Sequence, residues 1–150
     1  MTLRKTTEKL YKNLNFTHRV HEKQCELLSL GTFIIRLVSV ILICTILFLQ
    51  FWQLLNTPTG TLMVWSVALT VIEVGVTFFQ LNFNYDKLLD QHRNTAKSLL
   101  AVKNHFIIAM TDNITKKQLE EYVDEFNEIY SNAPQTNKIA KWLANREDRK

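Results

Sequence analysis

Six polar side chains recur along an otherwise apolar segment in the middle of the chain. They follow one another at steps of four, three, four, three and four residues: Ser66, Thr70, Glu73, Thr77, Gln80 and Asn84. On an α-helix this spacing places all six on one face, which we call the polar stripe. In a lipid bilayer a polar stripe must meet water or other polar groups. The pattern therefore indicates either a path for ions or water, or hydrogen bonding between helices.

Glu73 is the one charged residue between Leu62 and Leu81. A charged residue in the middle of a membrane helix costs at least about 2.5 kcal/mol on insertion scales, so its presence calls for a reason. One interpretation is that the stripe joins helices through hydrogen bonds of about 1 kcal/mol each. The other is that several copies associate with their stripes inward and enclose a wet path that can open. The sequence leaves both interpretations open.

The preceding apolar segment, Leu37–Leu55, carries no charge. Further polar residues that could line a path lie along one side of this segment: Arg36, Ser39 and Gln50. Ile43 and Ile46 lie near its middle, where an apolar constriction could close a path by excluding water. Arg36 is expected at the level of Gln80, where its long stem lets the charge reach the inner headgroups.

The two apolar segments are each close to the roughly 20 residues that a spanning helix needs. Between them, Asn56–Gly60 contains Pro58 and favours a short turn. A hairpin with this turn brings Trp52 and Trp65 to one level, which is typical of anchors at a membrane interface. We therefore predict an all-α membrane protein built on a two-span transmembrane hairpin.

Basic residues flank both inner ends of this hairpin. Residues 1–31 hold six Lys or Arg against three acids, and four more basic residues, Lys87, Arg93, Lys97 and Lys103, follow the second span. The positive-inside rule then places both termini in the cytoplasm. These charges explain the basic composition better than nucleic-acid binding does, so no direct nucleic-acid partner is expected.

The chain is read as a single module of residues 1–150, made of six segments. We predict an amphipathic cytoplasmic helix over 6–30, spans over 32–55 and 61–84, a continuous cytoplasmic extension over 85–110, a cytoplasmic helix over 116–131 and a basic tail over 134–150. Gly31 is the expected joint before the first span. The later helix should begin with a capping box formed by Thr115 and Gln118. Little of the chain is expected to form a separate soluble core.

Residue patterns typical of catalysis do not stand out. The three glycines form no phosphate-binding loop, and no nucleophile lies in a recognisable triad, so enzymatic activity and cofactors are not expected. His18 and His21 are three residues apart and His92 could lie nearby, but without accompanying Cys or carboxylate ligands no metal site is predicted.

The whole layout resembles the SLATT family, small two-span effectors associated with bacterial nucleotide-signal and nucleotide-sensor genes. The resemblance rests on residues 15–19, on the paired spans, and above all on residues 85–100, which read YDKLLDQHRNTAKSLL. It implies a membrane effector of anti-phage defence, located in the bacterial inner membrane. It also implies a trigger from a separate sensor or signal-generating protein, or from a nucleotide messenger.

The function we predict from these features is a homo-oligomer that opens a pore or disrupts the bilayer when it is triggered. An alternative from another class is a membrane-tethered interaction module, in which the hairpin is only an anchor and the amphipathic helices recruit a soluble partner. A subunit of a larger transporter is a third interpretation. The role of Glu73 distinguishes the first two, because a pore should depend on it and an anchor should not.

Overall fold

The computed structural model describes residues 3–56, 60–111 and 115–147, and it is helical almost throughout these ranges. The five helices are α1 (Leu3–Leu55), α2 (Gly60–Asn82), α3 (Tyr85–Thr111), α4 (Lys116–Asn132) and α5 (Lys138–Glu147). No strand occurs in the described ranges, which confirms the predicted all-helical class. The chain forms two compact units. The hairpin unit is Ser29–Asp86, and the bundle unit combines Met1–Leu28 with Lys87–Lys150.

The first helix runs without interruption from the polar N-terminal segment into the first apolar segment. The joint predicted at Gly31 is therefore wrong, since α1 spans Leu3–Leu55 and Gly31 does not have a positive φ. A single glycine costs a helix only about 1 kcal/mol, and the leucine-rich turn before it, Leu27–Leu30, favours the helix. One helix thus contributes to both units.

The second apolar segment, in contrast, ends in a break that the sequence analysis did not predict. The extension after the second span was expected to be continuous, but α2 stops at Asn82 and α3 starts at Tyr85. The Asn82 side chain donates a 2.8 Å hydrogen bond to the carbonyl of Phe78. Asparagine side chains compete with the backbone in this way, and a second asparagine, Asn84, follows at once.

The hairpin unit has the surface of a membrane-embedded structure. Two helical stretches, Leu3–Leu55 and Gly60–Thr111, contain windows with a mean hydropathy of 2.6 and 2.0, yet only 11% of each window is buried. An apolar helix of a soluble core would be mostly buried, whereas here large side chains such as Leu54, Val64 and Phe78 are at least two-thirds exposed. At 23 residues, α2 is about 35 Å long, enough to cross a hydrocarbon layer of about 30 Å.

The bundle unit has a hydrophobic core of its own, which corrects the expectation that little soluble core would form. Its fully buried side chains come from α1, α3 and α4: Leu14, Leu99, Val102, Phe106 and Leu119. Burying such side chains contributes roughly 1.5–3 kcal/mol each. The apolar face predicted for the helix at 116–131 therefore packs within this unit, through Leu119, Val123 and Phe126.

The ends of α4 and α5 are fixed by local hydrogen bonds. The predicted capping box is confirmed. The Thr115 hydroxyl oxygen accepts a hydrogen bond from the backbone N–H of Gln118, and the Gln118 side-chain oxygen accepts one from the backbone N–H of Thr115. The segment predicted as a basic tail contains α5, which packs Ala140 and Ala144 against Val20 of α1. The central turn residues 57–59, residues 112–114 between α3 and α4, and the last residues, 148–150, lie outside the described residues.

Candidate site in the hairpin unit

The contact between α1 and α2 follows a repeat of three and four residues. The α1 side chains that are buried or half-buried in this contact include Thr32, Ile35, Ser39, Leu42, Ile46, Leu49 and Gln53. The matching positions on α2 include Leu62, Ser66, Leu69, Glu73, Val76 and Gln80. This spacing is typical of two helices that pack with a left-handed crossing. In such a pair, one narrow face of each helix stays in contact with the other along its length. We call the residues of this seam the hairpin interior.

Half of the predicted polar stripe faces the hairpin interior. Ser66 and Glu73 are buried there, and the Gln80 side-chain amide donates a 3.0 Å hydrogen bond to Ser39 Oγ. The Ser39–Gln80 bond shows that a single hairpin supplies a polar partner for one residue of the stripe. A pair of this kind holds two membrane helices together. Arg36, which is expected at the level of Gln80, lines the same cavity as Gln80.

Glu73 is only partly satisfied within the hairpin interior. Its side chain is 9% exposed, and the Thr77 hydroxyl donates a 3.3 Å hydrogen bond to Glu73 Oε1. Glu73 Oε2 and the Nε2 atom of Gln53 are buried without a hydrogen-bond partner among the described residues. Unpaired polar atoms of this kind are costly at membrane depth, so they mark positions where the packing within one hairpin leaves polar groups unpaired.

The other half of the stripe lies on one exposed side of the hairpin, which we call the polar flank. It consists of Thr70 and Thr77 on α2, Asn84 just beyond the end of α2, and Arg36 and Gln50 on α1, at spacings of seven or fourteen residues. Arg36, Thr77 and Asn84 line one cavity, which shows that these positions of the two helices share a side. Of the two predicted constriction residues, Ile43 belongs to this flank and is 45% exposed, whereas Ile46 is buried in the interior.

The opposite side of the hairpin is apolar. A groove of about 400 Å³ there is lined by residues such as Val38, Ile72, Gly75 and Phe79. Apart from its chain neighbours and the nearby backbone of its own helix, a Cβ atom added to Gly75 would meet no atom of the described residues within 4 Å. The two sides therefore differ in chemistry, since one presents hydroxyl, amide and guanidinium groups and the other presents hydrocarbon.

Arg36 forms an ion pair at the end of the span. Its Nη2 atom donates to both carboxylate oxygens of Asp86, at 3.2 and 2.8 Å. Both side chains remain about two-thirds exposed. Toward the other end of the spans, the predicted interface anchors Trp52 and Trp65 are 50% and 61% exposed. Their anchoring role stays a prediction.

The bundle unit contains a buried histidine pair, formed by two of the three histidines that the sequence analysis expects near one another. The Nδ1 atoms of His21 and His92 lie 2.9 Å apart, and the two side chains are 3% and 0% exposed. Burial, together with the neighbouring His92 and His18, lowers the pKa of His21 to about 4. Burial also lowers the pKa values of His92 and His18. From the sequence, these three histidines are considered only as a metal site, so the lowered pKa values follow from burial that the sequence alone does not show.

Comparison with known proteins relates nearly the whole chain to one family. The model of a family described as SMODS and SLOG-associating 2TM effector domain family 4 matches residues 3–146. The match covers both the hairpin unit and the bundle unit. Neither a curated protein nor a solved structure matches the chain.

Proposed function

Because the chain belongs to the SMODS and SLOG-associating 2TM effector domain family 4, we propose that it is an oligomeric effector of a bacterial anti-phage defence system. In this proposal it opens a pore in the inner membrane, or disrupts that membrane, when a trigger arrives. The trigger comes from a separate sensor or signal-generating protein, or is a nucleotide messenger. Both termini lie in the cytoplasm, and the protein acts without catalysis.

The observation that carries the proposal is the polar flank. Thr70, Thr77, Asn84, Arg36 and Gln50 point away from the hairpin interior, on a surface that is otherwise apolar. Polar groups that face lipid are costly, and they are relieved when they meet water or the same groups of another copy. Several hairpins that turn their polar flanks toward a common axis would move Thr70, Thr77 and Gln50 from lipid to a wet path, with Ile43 as an apolar constriction.

Within this proposal the interior polar residues have a different role at rest. Ser39 and Gln80 join α1 to α2 through their hydrogen bond, Ser66 and Glu73 are buried in the hairpin interior, and all four reach the path only when the two helices repack. The Thr77–Glu73 hydrogen bond connects the flank to the interior. A trigger that favours the repacked state by a few kcal/mol would shift the population toward an open path.

The proposal is tested by membrane depolarisation in bacteria. Wild type, the double variant Thr70→Val with Thr77→Val, and the control Thr45→Val are expressed at matched membrane levels and followed with a voltage-sensitive dye, with and without phage challenge. Thr45 is a matched control, because its hydroxyl bonds the carbonyl four residues earlier, as that of Thr70 does, and it lies seven residues after Val38 on the apolar side.

We expect the wild type and Thr45→Val to depolarise the membrane and the double variant to lose most of this activity. Each replacement of threonine by valine barely changes the shape of the side chain but removes one hydroxyl group from the path. Equal depolarisation by the double variant and the control would contradict a path lined by the polar flank. A wild type that is silent under both conditions would contradict the pore itself.

One observation favours the alternative of a membrane-tethered interaction module. The bundle unit exposes Tyr130, Ile139 and Trp142 at 61%, 58% and 58%, and exposed aromatic side chains are typical of surfaces that bind another protein. In that case Tyr130→Ala with Trp142→Ala abolishes function, while the double threonine variant leaves it intact. The opposite pattern supports the pore.

A further inference from the structure

A polar cavity of about 340 Å³ opens at the end of the hairpin unit where α2 stops. It lies wholly within this unit, between the start of the first apolar segment and the residues around the helix break. Its polar lining is supplied by Thr32, Arg36, Thr77, Gln80, Asn84 and Asp86. Its volume is within the range of small-ligand sites, roughly 300–1,000 Å³.

The cavity lies at the depth of lipid headgroups. Arg36 precedes the uncharged run of α1, and Asp86 follows the end of α2, so both mark the boundary of the apolar region. Phe83 and Tyr85 line the same cavity and stack with ring centroids 5.8 Å apart. Aromatic side chains are enriched at this level of membrane proteins. A ligand that fills the cavity is therefore a molecule with a polar group at the membrane surface.

The charged residues of the cavity determine which polar group of a ligand can bind there. Arg36 and Asp86 lie side by side, with Nη2 2.8 Å from Oδ2, and their side chains are 64% and 65% exposed. An exposed pair of this kind contributes little, about 0–1 kcal/mol, so it is readily opened. A phosphate is the preferred partner of a guanidinium, and a primary ammonium is the preferred partner of a carboxylate. An adjacent Arg and Asp thus match a ligand that carries a phosphate next to an ammonium.

We propose that this cavity binds the headgroup of a phosphatidylethanolamine-type phospholipid, with its phosphate on Arg36 and its ammonium on Asp86. A phosphatidylcholine lipid has no N–H group to donate to Asp86. A phosphatidylglycerol lipid brings a negative charge toward Asp86 without a compensating cation. The order of affinity is therefore ethanolamine, then choline, then glycerol.

This lipid site belongs to a single hairpin and does not rest on the proposed pore. The two are connected through Arg36, Thr77 and Asn84, which belong to both the cavity and the polar flank. A lipid headgroup in the cavity covers one end of the polar flank while hairpins are separate. The headgroup must leave the cavity before this end of the polar flank can face another copy of the protein.

The test is lipid binding by the purified full-length chain in detergent, measured by mass spectrometry of retained lipids. Ethanolamine, choline and glycerol phospholipids with identical acyl chains are titrated in turn. We expect phosphatidylethanolamine to bind about tenfold more tightly than phosphatidylcholine, because one charge-assisted hydrogen bond is lost. Asp86→Asn should remove most of this difference, and Arg36→Gln should weaken the binding of all three lipids.

Arg4→Gln is the matched control, because Arg4 also pairs with a carboxylate, that of Glu8, but lies in the bundle unit. It should leave lipid binding unchanged. Equal binding of the three lipids by the wild type would overturn the proposal, as would tightest binding of phosphatidylglycerol. These comparisons use the wild type, so they decide the question even when a variant does not fold.

Discussion

Gln80 and Ser39 are joined by a 3.0 Å hydrogen bond across the hairpin unit, from the amide of one to the hydroxyl of the other. This bond fixes which face of α2 lies against α1. With Gln80 in the seam, Glu73 and Ser66 follow at steps of seven into the hairpin interior, while Thr77 and Thr70 remain outside. The division of the polar stripe into an interior and a flank is the basis of the proposed function.

Loss of the Ser39–Gln80 bond should weaken the hairpin. Ser39→Ala leaves the Gln80 amide unpaired, which we expect to lower the free energy of unfolding by about 1 kcal/mol. The measurement is denaturant unfolding of the purified chain in detergent, with Ser29→Ala as an exposed control. A double-mutant cycle with Gln80→Leu should give a coupling energy of similar size. Independent effects of the two variants would contradict the bond.

The buried histidines should make the bundle unit sensitive to acid. The pKa of His21 is about 4 in the folded chain, against an ordinary value of 6.5, and the pKa values of His18 and His92 are lowered too. Each histidine therefore binds protons more readily when unfolded. Stability is complete above about pH 6.5 and is lost as the pH falls through the range from 6.5 to 4. His21 alone should account for roughly 3 kcal/mol.

His21→Asn separates this effect from other acid transitions. The asparagine side chain retains a polar group near His92 but does not titrate, so the melting temperature should depend less on pH between 6.5 and 4. His105→Gln is the control, because His105 is more exposed and pairs with Glu125 at 3.3 Å. The same pH dependence in wild type and His21→Asn would show that another group is responsible.

The packing of α5 against α1 should be sensitive to the volume of the side chains between the two helices. Ala140 is 0% exposed and packs against Val20. Ala140→Leu adds atoms where there is no space, and we expect a loss of about 1–3 kcal/mol. Ala101→Leu is the control, since Ala101 is exposed on α3. Hydrogen exchange of the α5 amides should report local release of this helix in Ala140→Leu. Unchanged protection would contradict the packing described for α5.

The features that could be predicted from sequence are those that depend on neighbouring residues. The two apolar spans follow from length and hydropathy, and the cap at Thr115 and Gln118 follows from a spacing of three residues. Both are local, so no knowledge of distant contacts was needed. The break at Phe83 and Asn84 had a local signal as well, in the two asparagines, but the apolar periodicity on both sides concealed it.

The features that escaped prediction depend on how helices pack. A straight helical projection put Ser66, Thr70, Glu73 and Thr77 on one face. The seam between the helices is narrower than that face, so it divides them. From the sequence, His92 is expected near His21, 71 positions away, but the burial of the two side chains as a directly contacting pair depends on how α1 and α3 pack. The core of the bundle unit likewise requires α4 to fold back onto α1.

The most direct test of the central claim is whether water reaches the polar flank in the assembled protein. Thr70→Cys and Thr45→Cys are compared in a background with Cys25→Ser and Cys44→Ser, using a charged thiol reagent on cells that express the protein. Both positions lie near the middle of a span, one on the polar flank and one on the apolar side. The account predicts that Thr70→Cys reacts much faster than Thr45→Cys. Equally slow reaction at both positions would contradict a wet path along the polar flank.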